Sequence, residues 1–319
     1  MKIGFIGLGN VGFKLANSIL ESGFDLLIND LDKNTGKSLI EKGAKWIETP
    51  KALAQESDIS ITCLPSPSVV SNVLEGSKGL IEGMGPGKLW IEMSTTDDKE
   101  MQRLASLVID KNAFAIEAPV SGGCHRATTG NIAILVGGTR EAFDLAMPAL
   151  SAIGHQILHI GPIGSASVLK VATNYLASTH LVAVGEALMV CKKAGLDLPT
   201  VYEGIKISSG NSFVHETESQ VIMNGSYNIN FTMDLVCKDV GLFEKLAQDM
   251  QVPTEVSPLI TKIFKEGREK YGDRAWSSMI VKRLEDACGE DLRAFGYPAE
   301  LVDDTPRRKG YEVMPNNIK

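Results

Sequence analysis

The feature that most constrains the fold is the alternation of short apolar runs with helical stretches in the first half of the chain. These runs are apolar almost throughout, are bounded by Gly, Pro or Asp, and lie at residues 2–7, 24–30, 58–64, 88–94, 113–118 and 131–138. Strands that are buried on both faces of a parallel sheet have this composition. We therefore expect an α/β domain that is built on a doubly wound parallel sheet.

The character of the sequence changes after the segment GPIGS at residues 161–165. From there to about residue 295 the helical period dominates and convincing strand patterns are absent, which predicts an all-α second domain. A long helix that begins near Ser165 would join the two domains. We therefore expect a first domain at residues 1–163, a helical domain at 164–295 and an irregular C-terminal tail at 296–319, to which we assign no chemistry.

The composition excludes several classes of protein. The chain has 319 residues, of which 44% are hydrophobic and 22% charged, so it is long enough for two domains with their own cores. Its net charge is −7, its pI is about 5.4, and its Lys and Arg residues are not clustered. This balance argues against a nucleic-acid partner and against an anionic membrane surface. No apolar run approaches the roughly 18 residues that a bilayer span needs, and Ile3 already belongs to the first predicted strand, which leaves no room for a signal peptide.

The cysteines indicate a reducing compartment. There are five of them, an odd number, and they are widely spaced, with no CxxC or Cys/His spacing that is typical of metal ligands. Disulfides and a zinc site are therefore not expected. We expect a cytoplasmic protein with reduced thiols and no bound metal.

The segment FIGLGNVG at residues 5–12 carries the pattern GxGxxG directly after a predicted strand and at the start of a predicted helix. Gly7 permits the tight turn, Gly9 lets the backbone approach a pyrophosphate, and Gly12 lets the helix pack on the sheet. The N–H groups at the N-terminus of a helix also favour phosphate. We therefore assign dinucleotide binding to the residues of this turn, which are Gly7, Leu8, Gly9, Asn10, Val11 and Gly12.

Asp30 follows the second predicted strand, where an acidic residue accepts hydrogen bonds from the adenosine ribose hydroxyls. Its charge would repel a 2′-phosphate and no arginine follows it directly, so we expect NAD rather than NADP. The alternative is that the glycines only make a turn and that Asp30 is a solvated loop residue. The combination of strand, helix and acidic residue in register favours the dinucleotide.

Two further segments carry candidate ligand-binding residues. The segment EAPVSGG at residues 117–123 follows a predicted strand and offers the hydroxyl of Ser121 and the N–H groups of Gly122 and Gly123. Such a cluster of donors can hold a carboxylate, although by itself the segment can also be a plain turn. The segment at residues 231–242 places Lys238 on a predicted helix, from which it could supply a cation.

One lysine lies in the middle of the joining helix, which is otherwise apolar and expected to be buried. Lys170 is the only formal charge between Gly164 and Glu186, and Asn174 follows four residues later on the same helical face. Apolar neighbours disfavour the ammonium form and lower the pKa of a lysine, which suits a group that exchanges protons. The alternative is that Lys170 extends its amine to solvent or pairs with an acidic residue.

With these motifs in this order, the sequence resembles the β-hydroxyacid dehydrogenase family from residue 1 to about residue 285. The resemblance implies an NAD-binding Rossmann domain and an all-helical domain, with the active site between them. It implies that Lys170 is the catalytic acid/base and that Asn174 binds the substrate. It also implies that the turn at Ser121, Gly122 and Gly123 binds the substrate carboxylate.

The same resemblance implies further cofactor contacts, which are assigned to Leu64, Pro65, Val69, Thr95 and Lys238. It also implies that the subunits pair through their helical domains as a homo-dimer or homo-tetramer.

Arg126 departs from the family pattern, which has a glycine at this place in the segment GGCHRATTG at residues 122–130. We hypothesise that Arg126, together with His125, binds a second anionic group or a polar tail of the substrate. The alternative is a surface arginine that pairs with a nearby acidic residue.

These features predict an NAD-dependent 3-hydroxyacid dehydrogenase, or a semialdehyde reductase in the reverse direction, that acts on a small carboxylate-bearing alcohol. Two alternatives stay open. One is a catalytically silent dinucleotide-binding or scaffold protein, which the presence of Lys170 and Asn174 disfavours. The other is an oxidative decarboxylase of the 6-phosphogluconate type, which is disfavoured because its relatives have a much larger helical domain.

Overall fold

A computed structural model of the protein describes residues 1–315. Its strands are β1 (Lys2–Ile6), β2 (Asp25–Asn29), β3 (Lys45–Trp46), β4 (Ile59–Thr62), β5 (Leu89–Glu92), β6 (Phe114–Glu117), β7 (Val120–Ser121), β8 (Ile132–Gly137), β9 (Gly154–Gly161) and β10 (Tyr311–Glu312). Its α-helices are α1 (Gly12–Glu21), α2 (Lys37–Glu41), α3 (Pro50–Glu56), α4 (Pro67–Glu75), α5 (Asp98–Ile109), α6 (Gly123–Thr129), α7 (Arg140–Ile153), α8 (Ser165–Lys193), α9 (Leu198–Lys206), α10 (Phe213–Asn224), α11 (Met233–Asp249), α12 (Val256–Tyr271) and α13 (Lys282–Cys288).

The chain divides into two compact units. Of the described residues, unit 1 contains 1–170 and 303–315, and unit 2 contains 171–302. The boundary lies within α8, directly after Lys170.

The sheet of unit 1 confirms the predicted α/β class. Its strand order is β10-β9-β8-β6-β5-β4-β1-β2-β3, and β3, β2, β1, β4, β5 and β6 are parallel to one another. The order 3-2-1-4-5-6 is that of a dinucleotide-binding doubly wound sheet. Strands β2 and β3 lie on one side of β1, and β4, β5 and β6 lie on the other. A sheet whose strand order changes direction in this way has a crevice at its carboxyl edge, here between β1 and β4.

Successive side chains of a strand point to opposite faces of the sheet, so alternate residues of each central strand belong to different hydrophobic clusters. Ile3 and Phe5 belong to one hydrophobic cluster of unit 1, while Ile6 belongs to the other. In β5, Leu89 and Ile91 face the first cluster and Trp90 the second, and all three are buried. Burial on both faces explains why these strands appear in the sequence as continuous apolar runs.

Unit 2 is helical, as the second half of the sequence predicts. Its core is one hydrophobic cluster that includes Leu188 of α8, Met223 of α10, Val240 of α11 and Phe264 of α12. The stacked rings of Tyr175 and Phe243, with centroids 4.1 Å apart, add a contact between α8 and α11.

The structure corrects several details of the sequence prediction. The strands β3, β7, β9 and β10 were not predicted, because β9 has the polar sequence GHQILHIG and the other three have only two residues each. β8 is antiparallel to β6, so the sheet is not parallel throughout. Within residues 296–315 the tail is irregular, as predicted, except for β10, which pairs with β9 in parallel.

The joining helix α8 is not buried throughout. Leu176 is 51% exposed and Val190 is 68% exposed. Apolar residues occur on all sides of this helix, so its sequence has no stripe that distinguishes a buried face from an exposed one.

Candidate functional site

The three glycines of the turn after β1 have different structural roles. Gly7 has a positive φ of 98°, and a Cβ atom there would lie 2.3 Å from the carbonyl oxygen of Cys63. A Cβ atom at Gly12 would lie 2.0 Å from the carbonyl oxygen of Gly7. At Gly9, by contrast, no heavy atom of residues 1–315 other than those of Gly9 and its two chain neighbours lies within 4 Å of that position. Gly7 and Gly12 are therefore required by the packing of the turn, whereas Gly9 faces open space that a ligand can enter.

Asp30 is attached to this turn. Its Oδ2 atom accepts a hydrogen bond from the N–H of Leu8 at 2.6 Å, and its Oδ1 atom accepts one from the N–H of Asp32 at 3.0 Å. Asp30 is half-buried, so it is not a freely solvated loop residue. Val11, at the N-cap of α1, makes no side-chain cap hydrogen bond within the described chain. The N–H groups of Phe13 and Lys14 donate to the carbonyls of Gly9 and Val11 at 3.0 Å each. Only N–H groups that precede Phe13 can therefore be left for an anion.

Other predicted cofactor residues lie at the same edge of the sheet. Leu64 follows β4, and its Cδ2 atom would be 3.0 Å from a Cβ atom at Gly7. Pro65 is exposed in the same loop, and Val69 is half-buried in the first turn of α4. Thr95 follows β5 and is half-buried. Because the carboxyl ends of parallel strands meet at one edge, the structure brings these residues to the edge where the glycine turn lies.

A buried carboxylate that the sequence analysis did not select holds two of these loops. Glu92, at the end of β5, accepts a hydrogen bond from the Thr62 hydroxyl and another from the N–H of Ser94 at 2.6 Å. The hydroxyl of Ser94 in turn accepts a hydrogen bond from the N–H of Leu64 at 2.7 Å. Burial raises the pKa of Glu92 to about 7, and the nearby charge of Glu117 acts in the same direction.

The turn that is predicted to bind a substrate carboxylate, here called the carboxylate turn (Ser121, Gly122 and Gly123), has two glycines in left-handed conformations. Gly122 has a φ of 125° and Gly123 a φ of 84°. A Cβ atom at Gly122 would lie 3.2 Å from Cδ of Arg126, and one at Gly123 would lie 2.9 Å from Cε1 of His125. The side chains of Arg126 and His125 therefore lie directly against the two glycines that follow Ser121.

Arg126 brings a positive charge to this turn and acts on His125. Burial lowers the pKa of His125, and the positive charge of Arg126 lowers it further, although Asp303 opposes this effect. A neutral His125 can donate one hydrogen bond and accept another. The cationic group beside the turn at neutral pH is then the Arg126 guanidinium.

The start of α8 is held by Glu117, which the sequence analysis did not select either. Its carboxylate accepts hydrogen bonds from the N–H groups of Gly164 at 2.6 Å, Ala166 at 2.8 Å and Ser167 at 3.1 Å, and from the Ser167 hydroxyl. Burial raises the pKa of Glu117, and these donors oppose that rise. Lys170 lies three residues after Ser167 and is 7% exposed. Glu117 therefore links the first residue of the EAPVSGG segment to the turn of α8 that precedes Lys170.

In unit 2, a third buried carboxylate connects two predicted site residues. Asp239 of α11 is 2% exposed and accepts a hydrogen bond from Nδ2 of Asn174 at 2.5 Å. Its other oxygen pairs with Nζ of Lys238, also at 2.5 Å. Asp239 therefore orients the Asn174 amide and neutralises Lys238. Asp239 directly follows Lys238 in the sequence, and this adjacency is the signal that points to it.

Three further properties bear on the site. No helix within residues 1–315 is long and apolar enough to cross a membrane. The same residues contain no group of three or more His, Cys, Asp or Glu side chains that could hold a metal ion. All five cysteines lie in the described part of the chain, and none of them forms a disulfide there.

Two family models match the chain in succession. The NAD binding domain of 6-phosphogluconate dehydrogenase matches residues 2–161, and the domain described as NAD-binding of NADP-dependent 3-hydroxyisobutyrate dehydrogenase matches residues 164–284. The chain belongs to the β-hydroxyacid dehydrogenase family. As a member of this family, it is an NAD(P)-dependent oxidoreductase that acts on CH–OH groups.

Known β-hydroxyacid dehydrogenases resemble this chain over most of its length. It is 32% identical to 2-(hydroxymethyl)glutarate dehydrogenase of Eubacterium barkeri over 290 residues, which are 91% of this chain and 96% of that protein. It is 30% identical to the mitochondrial 3-hydroxyisobutyrate dehydrogenase of Mus musculus over 286 residues, 87% of this chain and 85% of that protein. The crystal structure of a 3-hydroxyisobutyrate dehydrogenase from Salmonella typhimurium superimposes with a TM-score of 0.81 at 26% identity, covering 89% of this chain and 99% of that chain.

The residues of this β-hydroxyacid dehydrogenase fit a bound dinucleotide. The open space at Gly9 and the N–H groups that precede Phe13 would accommodate the pyrophosphate, and Asp30 would accept hydrogen bonds from the adenosine ribose. When bound, the nicotinamide ring of such a cofactor accepts or donates a hydride.

Proposed function

We propose that this protein is an NAD-dependent 3-hydroxyacid dehydrogenase, or a semialdehyde reductase in the reverse direction, with Lys170 as its general acid/base. The observation that carries this proposal is the buried Lys170, which follows a helix start that is anchored by four hydrogen bonds to Glu117. Lysines that exchange protons in enzymes are commonly buried, because burial makes their pKa easy to shift.

The proposed chemistry assigns a task to each side chain. In the oxidation, the amine of Lys170 removes the hydroxyl proton of the substrate, and in the reduction its ammonium returns that proton to the alkoxide. Asn174, oriented by its hydrogen bond to Asp239, would orient the substrate or Lys170. The turn at Ser121, Gly122 and Gly123 would hold the carboxylate, so that the reacting carbon is placed for hydride transfer.

We propose further that the substrate carries a second anionic group, which Arg126 binds with help from His125. Both side chains lie against the glycines of the carboxylate turn, which supports this role. The name of the relative from Eubacterium barkeri, 2-(hydroxymethyl)glutarate dehydrogenase, describes a hydroxy acid with two carboxylates.

The cofactor that we propose is NAD rather than NADP. The carboxylate of Asp30 is held beside the glycine turn by Leu8 and Asp32, where it would repel a 2′-phosphate. Leu31, the next residue, is fully exposed and offers no positive charge to compensate. A dissociation constant for NADPH equal to or lower than that for NADH would contradict this part of the proposal.

We propose that residues 1–163 form the NAD-binding domain, residues 164–295 a helical domain for substrate binding and oligomerisation, and residues 296–319 a tail. We propose also that the protein is a cytoplasmic homo-dimer or homo-tetramer.

The deciding experiment combines a substrate panel with one variant. NAD reduction is measured with 3-hydroxyisobutyrate, glycerate, 4-hydroxybutyrate, threonate, 2-(hydroxymethyl)glutarate and sulfonated analogues. The variant Lys170→Ala should still bind NADH, measured by nucleotide fluorescence, and should lose about 10²- to 10⁴-fold in kcat. Lys193→Ala, at an exposed position of the same helix, is the matched control.

The outcomes separate the alternatives. A wild-type protein that binds NADH but oxidises no member of the panel would instead be a silent dinucleotide-binding protein. Release of CO₂ in step with NADH formation would indicate an oxidative decarboxylase. Full turnover in Lys170→Ala would contradict the role of Lys170.

A further inference from the structure

The C-terminal segment from Asp303 to Pro315, here called the C-terminal extension, lies beyond residue 284, where the family match ends. It belongs to unit 1 and packs along it. Tyr311 and Glu312 form β10 on β9, and the N–H of Val313 donates to the carbonyl of Ile157 at 2.7 Å. Glu312 also accepts two hydrogen bonds from Arg140, at 2.6 and 2.9 Å. The extension is therefore an ordered part of this unit.

The first residues of the extension hold the end of α6. Asp303 accepts hydrogen bonds from the Thr129 hydroxyl and from Nδ2 of Asn131, the latter at 3.0 Å. The carbonyl of Thr305 accepts from the same Nδ2 at 2.9 Å, and the N–H of Arg308 donates to Oδ1 of Asn131 at 3.2 Å. The side-chain amide of Asn131 is thus bonded at both ends to the extension.

This anchor is directly connected to Arg126. The N–H of Asn131 donates to the carbonyl of Arg126 at 2.9 Å, so the residue that the extension holds also closes the last turn of α6. Arg307 lies over Gly130, and its guanidinium donates to the carbonyl of Ser18 at 3.1 Å and to the hydroxyl of Ser22 at 3.0 Å. The extension therefore ties the end of α6 to α1.

The charge of Asp303 is retained at neutral pH. Partial burial raises its pKa, but the hydrogen bonds from Thr129, Asn131 and Thr305 outweigh burial and lower the pKa to about 2. Helix α6 has only seven residues, and a helix of this length is not stable without tertiary contacts. The direction in which Arg126 and His125 leave α6 thus depends on how the end of this helix is held.

We propose that Asp303 is a positioning residue for substrate specificity: it fixes α6 so that Arg126 and His125 lie over the carboxylate turn and select hydroxy acids with a second carboxylate. This inference rests on the proposed function. The arginine that departs from the family pattern expected at position 126, and the extension beyond the family match, meet at this one short helix.

The test compares two variants within the same extension. Asp303→Asn weakens the anchor on α6, whereas Glu312→Gln weakens the ion pair with Arg140 at β10 and leaves α6 untouched. We expect Asp303→Asn to raise KM for 2-(hydroxymethyl)glutarate about tenfold while kcat changes less than twofold, since misplacing a binding group costs this much or more. The KM ratio of the dicarboxylate to 3-hydroxyisobutyrate should rise in Asp303→Asn and stay constant in Glu312→Gln.

Coupling to Arg126 provides the second criterion. Arg126→Ala should raise the same KM, and the double variant Asp303→Asn/Arg126→Ala should lose no more than Arg126→Ala alone, because both changes remove one interaction. Additive losses would overturn the positioning role. Asp303→Glu should restore part of the affinity. If Asp303→Asn does not fold, Thr129→Val removes the donor to Asp303 and replaces it in the same comparison.

The inference and the proposed function fail in different ways. Absence of wild-type turnover with every hydroxy acid would overturn both. Wild-type turnover with an unchanged KM ratio in Asp303→Asn, or an equal change in Glu312→Gln, would overturn only the positioning role.

Discussion

Three buried carboxylates hold the candidate site residues of this protein. Glu92 fixes the loops after β4 and β5, Glu117 fixes the start of α8, and Asp239 orients Asn174 and Lys238. Asp239 contacts two predicted site residues directly, whereas Glu92 reaches Leu64 through Ser94. Glu117 holds the turn of α8 that precedes Lys170. Removal of such a buried carboxylate would leave its donors unpaired, which is costly.

Glu92 predicts a pH dependence of stability. Its pKa is raised from 4.5 to about 7 by burial, so the folded state binds the proton more tightly than the unfolded state does. The stability that this group contributes is therefore fully present below about pH 4.5 and is lost as the pH rises through 7. Glu92→Gln stays neutral, so its melting temperature should fall less between pH 5 and pH 8 than that of the wild type. Parallel melting curves for the two proteins at all pH values would contradict this prediction.

At the scale of elements, the turn between β1 and α1 separates two kinds of glycine. Gly7 and Gly12 are packed against backbone atoms, and Gly9 is open. The same sequence motif thus contains residues that stabilise the fold and one that leaves room for a ligand.

A pair of alanine substitutions should separate these two roles. Gly12→Ala places a methyl group against the carbonyl of Gly7 and should destabilise the protein by about 1–3 kcal/mol, measured by urea unfolding. Gly9→Ala should leave stability within about 0.5 kcal/mol but raise the dissociation constant for NADH, since the new methyl group occupies the space that the pyrophosphate needs. Unimpaired NADH binding by a folded Gly9→Ala protein would refute this assignment of the turn.

At the scale of the whole molecule, the C-terminal extension is part of the stability of unit 1. It adds β10 to the sheet, pairs Glu312 with Arg140, and places Arg307 on carbonyl groups of α1 and α7. These contacts join residues that are more than 150 positions apart in the chain.

A chain that ends at Val302 should therefore be less stable. Loss of the strand and of these hydrogen bonds should lower the melting temperature by about 5–10 °C, measured by calorimetry, because each bond contributes about 1 kcal/mol. Glu312→Gln, which removes part of one interaction, should lower it by a smaller amount. A truncated chain with the wild-type melting temperature would show that the extension is not a structural part of the unit.

The sequence by itself determined the features that depend on local patterns. Burial on both faces gives the central strands continuous apolar runs, a tight turn admits only glycine at Gly7, and helical periodicity dominates the second half. Only the tertiary structure decided the pairing of β9 and β10, the partners of Glu117 and Asp239, and the anchor between Asp303 and Thr129, which are 174 residues apart. Such contacts depend on where distant parts of the chain meet, and an acidic residue leaves no periodic signal from which its partner can be deduced.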